Sequence, residues 1–186
     1  IARQLDELLP GEPLDLTYTD KALWQRHTLE NWFLGSRGKR VGTCFNGVDD
    51  YSWLTPLFPT RMSTAIEVHN ITHSGDFAQA NLHPEHIAEI DYFHTNVYCN
   101  YIGGDYPLVR HQNPDAPNPQ RILLIKDSYS LPVQAFLSTL FREVTVIDPR
   151  YYPNYDITNY VQINSPDLVV MLMNPSAFPY KEYQNF

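Results

Sequence analysis

Cysteine is scarce in this sequence, basic charge is outnumbered, and no apolar run is long. The two cysteines, Cys44 and Cys99, fit no metal-ligand spacing. One disulfide and two buried thiols are both compatible with them. Lys and Arg total 13 against 21 for Asp and Glu, a formal net charge of −8. A nucleic-acid binder depends on counterion release at a basic face. The sole basic cluster is Gly35-Ser36-Arg37-Gly38-Lys39-Arg40, so no nucleic-acid partner is expected. No apolar stretch approaches the ~20 residues needed to span a bilayer. No signal-peptide pattern opens the chain. Because the first residue is Ile1, that absence says nothing about where the full protein goes.

What is present is aromatic and proline-rich. Thirteen tyrosines and fifteen prolines suit an exported protein with long ordered loops and a sugar-friendly surface. Hydrophobic residues make up 43%, enough to argue against disorder. A length of 186 residues suits one domain, 1–186.

Three textures follow one another. Residues 1–35 read as helical: Ile1, Leu5, Leu8 and Leu9 keep helical spacing up to Pro10-Gly11. Thr19 or Asp20 could cap a second helix from Lys21 to Leu34, closed by Gly35 and buried through Leu23, Trp24, His27, Trp32 and Phe33. Residues 36–120 read as short strands and ordered loops, with strands at Arg40–Phe45 and Tyr51–Thr55, and turns at Asn46-Gly47 and Gly103-Gly104. The prolines of 113–120 make that segment a loop. Residues 121–175 alternate strand and helix. Ile122–Ile125, Val144–Ile147 and Asp167–Leu172 are apolar strands, and Pro132–Phe141 and Asp156–Ile163 are helices. This β–α–β–α–β pattern predicts an α/β fold with a parallel sheet.

Ligands of an open parallel sheet bind beyond the carboxyl ends of its strands. Lys126–Ser130, Asp148–Tyr152 and Met173–Pro175 arrive there. Ser128 sits at a strand-to-helix turn, where free N–H groups and the helix dipole favour an oxyanion. It is either a nucleophile or, with Asp127, a helix cap. Arg150 could hold a carbonyl-bearing or anionic group, or form a structural ion pair with Asp127 or Asp148. Asn174 could donate to an oxyanion or serve as a turn residue before Pro175. Asp91 and His94, spaced D-x-x-H, could supply the orienting carboxylate and the base. His69/His73 and His83/His86 have helical metal-pair spacing, but Asn70, Gly75 and Pro84 argue against helices there, so no metal and no cofactor are expected.

Several segments also occur in a recognisable order. They are Phe33–Gly42, Gly47-Val48-Asp49-Asp50, Tyr101–Gly104, Ile125–Tyr129, Phe136-Leu137-Ser138, Ile147–Tyr152 and Pro166–Val170. This series resembles the DHHW family of bacterial exported proteins, which is similar to the SGNH-hydrolase-like domains of alginate O-acetyltransferases. The resemblance implies a flavodoxin-like three-layer SGNH fold and a serine nucleophile matched by Ser128. Asp127 would be its structural partner, and Arg150 would stand in a D-x-R-Y-Y block. The implied activity is ester hydrolysis or O-acyl transfer on a cell-envelope or extracellular polysaccharide, outside the cell or on its surface. The alternative is a non-catalytic module binding polysaccharide or protein on the same scaffold.

The family's upstream Asp-His-His-Trp or Asp-x-His-Trp motif is missing from these residues. The expectation is therefore a carboxyl-terminal portion, truncated on its N-terminal side and separated from its base. A membrane anchor upstream, and a sheet edge left open to self-association, belong to the same expectation.

Overall fold

Ile122, Leu123, Leu124 and Ile125 are each at most 2% exposed, as a strand covered on both faces must be. The computed structural model describes residues 1–9, 11–45, 47–91, 93–152 and 155–175. Its elements run α1 (Ala2–Leu8), β1 (Trp24–Phe33), α2 (Gly35–Val41), β2 (Asp49–Pro56), β3 (Met62–Ile66), β4 (Ile71–Gly75), α3 (Phe77–Asn81), β5 (Leu108–Gln112), β6 (Asn118–Lys126), α4 (Leu131–Leu140), β7 (Phe141–Ile147), α5 (Ile157–Asn164) and β8 (Leu168–Leu172).

The fold is α/β around a six-stranded sheet of order β4-β3-β5-β7-β6-β8. β7 and β8 flank β6 in parallel register, with Ile122 opposite both Val144 and Leu168. α4 and the Ile122/Leu124 face share one apolar core, while α5 and the Leu123/Ile125 face share another. The strands and helices expected over 121–175 are thus all present.

The expected parallel sheet is corrected to a mixed one. β5 runs antiparallel to β7, β3 to β5, and β4 to β3. The chain between β3 and β4 turns through Asn70 in left-handed geometry (φ 51°). A connection that short can join only antiparallel strands.

A second correction concerns Lys21–Leu34. Asp20 does cap a helix, its carboxylate accepting the Ala22 N–H, but the helix is a single 3-10 turn over Lys21–Leu23. The chain then becomes β1, antiparallel to β2, with Trp24 opposite Pro56 and His27 opposite Trp53. Thr28, His27, Trp32 and Phe33 are weak helix formers that fit a pleated surface. Burial against Tyr51 and Trp53 decides the matter. A bulge with Asn31 at φ 54° interrupts the pairing between Leu29 and Phe33.

Two further differences are local. Arg40 and Val41 close α2 instead of opening a strand, with Gly42 at φ 81° ending it. Within 113–120, the last three residues already belong to β6. There the Asn118 side-chain amide donates to the carbonyls of Asp15 and Leu140, between two prolines that have no N–H of their own to donate. The Gly103-Gly104 turn is present, both residues having positive φ. Asn46 of the other expected turn lies outside the described residues. Both cysteines carry free thiols.

Candidate active site

The parallel strands deliver Asp127-Ser128, Asp148–Arg150 and Met173-Asn174 to one end of the sheet. Asp127 is only 4% exposed. One carboxylate oxygen accepts the Tyr129 N–H at 2.9 Å, capping the turn Ser128–Ser130 that leads into α4. The other accepts the Asn174 N–H at 2.7 Å. The Ser130 hydroxyl donates to the Leu172 carbonyl at 2.8 Å. Two polar ties therefore bind the turn after β6 to the end of β8. Capping belongs to Asp127, and the Ser128 hydroxyl makes no hydrogen bond among the described residues.

Ser128 is half-buried and lines a cavity of about 540 Å³ with Phe33, Ser36, Lys39, Asn96, Tyr98 and Tyr129. Phe33 and Tyr98 meet edge to face, ring centroids 5.3 Å apart. The Tyr129 ring is 67% exposed. The near wall comes from β1, whose strand character the helical spacing had hidden, and from α2. The Lys39 ammonium donates to the Thr95 carbonyl at 2.9 Å, clasping α2 to the loop across from it.

Arg150 makes an ion pair and does not line this cavity. Its Nε donates to Asp148 Oδ1 at 2.9 Å and a terminal nitrogen to Oδ2 at 2.6 Å. Lys126, 1% exposed, bonds Asp105 and lies 3.5 Å from Asp148. Arg150 reaches Asp105 at 3.6 Å, so two cations and two carboxylates interlock beneath the strand ends. The Arg150–Asp148 pair is one of the two ion pairs that the sequence offered for Arg150, whereas the parts of Lys126 and Asp105 were not announced by any motif. Asn174 is half-buried, contributes its backbone N–H to Asp127, and does not line the cavity.

Asp91 and His94 do pair: the imidazole Nδ1 lies 2.9 Å from the carboxylate, which also accepts the His94 and Phe93 backbone N–H groups. The His94 backbone bond is foremost in holding the Asp91 pKa below its usual value. The imidazole is 87% exposed, and the hollow beside this pair, which shares Thr95 with the Ser128 cavity, is a separate one. None of the seven histidines lines the Ser128 cavity. His83 meets His86 edge to face, ring centroids 6.4 Å apart, and also meets His73 from another element at 4.9 Å. Among the described residues no group of three or more His, Cys, Asp or Glu could hold a metal.

No family model matches the sequence, and no curated protein matches it. Solved structures do. PatB1 of Bacillus cereus with a sulfonyl adduct superposes at a TM-score of 0.68 and 19% identity, covering 97% of this chain and 55% of that one. PatB1 without the adduct gives 0.67 and 21%, covering 97% and 56%. A DHHW family protein of Eubacterium siraeum gives 0.58 and 18%, covering 87% and 50%. The chain spans about half the length of these structures, and it is similar to them in fold.

Proposed function

We propose that the chain carries the nucleophile of an SGNH-like, DHHW-type enzyme of acyl transfer, working outside the cell on acylated polysaccharide. The observation that carries this reading is the Ser128 hydroxyl. It makes no hydrogen bond among the described residues and stands at the carboxyl end of a parallel strand, in the wall of a cavity, at a turn secured by Asp127. The fold similarity to PatB1 supports it, since a sulfonyl adduct forms where a nucleophilic side chain displaces a leaving group from sulfur. The aromatic faces of Phe33, Tyr98 and Tyr129 suit a sugar ring.

In this reading Ser128 Oγ attacks the ester carbonyl carbon while its proton passes to a base. The tetrahedral oxyanion takes the Ser128 backbone N–H, a group that the start of a helix leaves without an intrahelical partner. Collapse expels the alcohol, which regains the proton, and leaves an acyl-serine. Water or a sugar hydroxyl then takes the acyl group. Arg150 acts at a distance, by fixing Asp148 and the strand ends. The base is an imidazole from polypeptide other than these 186 residues, such as a longer protein of its structural relatives' length would hold.

The cavity's lack of a histidine favours a second reading, a binding module on the same scaffold. The experiment that separates them uses the longer protein. A sulfonyl fluoride or fluorophosphonate should label it on Ser128 and p-nitrophenyl acetate should turn over, both lost in Ser128→Ala. A correctly folded longer protein inert to all three reagents leaves the binding module.

A further inference from the structure

In a chain with 21 carboxylates to 13 cations, a cation shielded from water normally finds an acid. The cations that are buried or half-buried among the described residues are Lys39, Arg110, Lys126 and Arg150. Arg110 lies 3.7 Å from Glu67, Lys126 pairs with Asp105 and Asp148, and Arg150 pairs with Asp148. Lys39 forms no ion pair among the described residues. It is also the sole charged side chain among the described residues that line the Ser128 cavity. An ammonium has three N–H donors, and the Thr95 carbonyl takes one. Withdrawing such a charge from water costs free energy that a single neutral acceptor offsets poorly.

We propose that this cavity takes an ester bearing an anionic group, the negative charge seated on Lys39 while the carbonyl faces Ser128. The proposal rests on the nucleophile reading and adds the substrate class. Lys39 becomes a specificity residue, its carbonyl bond to Thr95 fixing where the anion sits. Phe33, Tyr98 and Tyr129 supply the apolar wall for the rest of the molecule. An ammonium that served only to staple α2 to the Thr95 loop would hold the fold without preferring a charged ligand.

Binding to Ser128→Ala protein, which cannot consume the ester, tests this. The probes are 4-acetoxybenzoate and its neutral methyl ester, titrated at low salt by NMR. The carboxylate should bind about tenfold more tightly, roughly 1.4 kcal/mol. The preference should persist in Lys39→Arg, vanish in Lys39→Met, and shrink in about 0.5 M salt. The salt series on the unaltered Lys39 needs no variant at this position, so a misfolded Lys39→Met leaves the test intact. Equal binding of the two probes, a preference that survives Lys39→Met, or failure of the carboxylate to bind overturns the proposal. Sulfonyl fluoride labelling keeps the two claims apart. Labelling of Ser128 without anion preference sinks this inference alone, and anion preference without labelling sinks the nucleophile alone.

Discussion

His111 sits wholly buried in β5, its ring nitrogens facing the Thr64 hydroxyl at 2.9 Å and the Gln134 amide oxygen at 3.2 Å. Burial in these surroundings pushes its pKa down to about 4. The unfolded chain takes up the proton near pH 6.5, and the folded chain resists it until pH falls to about 4. Stability contributed by neutral His111 is therefore complete above the unfolded value and drains away as pH falls through that window. The loss amounts to about 3 kcal/mol. Urea unfolding at several pH values across this window should show it, and His111→Gln should flatten the dependence by a similar amount. An unchanged slope in the variant would mean that this imidazole is not the titrating group. His111 carried no motif. A histidine inside an alternating strand gives no sign of its burial until the neighbouring strands are known, and β3 and β7 come from distant parts of the chain. Ser128 was legible because its position at the end of an apolar run is itself the signal. That Lys39 meets the Thr95 carbonyl and no carboxylate among the described residues was not legible, because pairing is a property of the folded surroundings.

At the scale of elements, the network of Lys126, Asp105, Asp148 and Arg150 ties the loop after Gly104 to the ends of β6 and β7. Lys126 is nearly inaccessible and Asp148 is fully so, and removing one partner of such a group strands the others. Lys126→Met should cost about 3–5 kcal/mol. Measured in an Asp105→Asn background, the same substitution should cost less, because one stranded carboxylate is already neutral. Equal costs in the two backgrounds would show that the pair is not coupled. The β–α–β–α–β half was readable from short-range pattern, since its strands hold apolar runs, Pro132 marks the first turn of α4 and Asp156 caps α5. β1 was not. Leu23, Trp24, His27, Trp32 and Phe33 keep a spacing compatible with a helix, and only the partner strand β2 settles the choice. The antiparallel half escaped for a related reason: which strands neighbour one another is a long-range property.

At the scale of the whole molecule, β4 and β8 end the six-stranded sheet among the described residues. β8 pairs only with β6 among the described residues, and its sequence Leu168–Leu172 carries no charge. Val169 and Met171 are each 42% exposed, opposite Leu123 and Ile125 and so on the face that α5 covers. No described helix is long and apolar enough to cross a membrane. An uncharged edge of this kind invites another strand. Sedimentation velocity should find concentration-dependent association of this chain, abolished by Val169→Lys combined with Met171→Lys. Association unaffected by that pair of changes would place the contact elsewhere. The six-stranded topology, like the joining of Lys126 to Asp105 and the hairpin of β1 and β2, lay beyond what adjacent residues could specify.

The double anchoring of Asp127, to Tyr129 on one side and Asn174 on the other, has a consequence for how such chains can vary over time. One position added or lost between Asp127 and Tyr129 would break the local cap, and one added or lost between β6 and Asp127 would draw the carboxylate away from the Asn174 amide. Insertions and deletions among descendants of this chain should then accumulate in the stretch from β2 to β5 and spare the seven positions from Leu124 to Ser130.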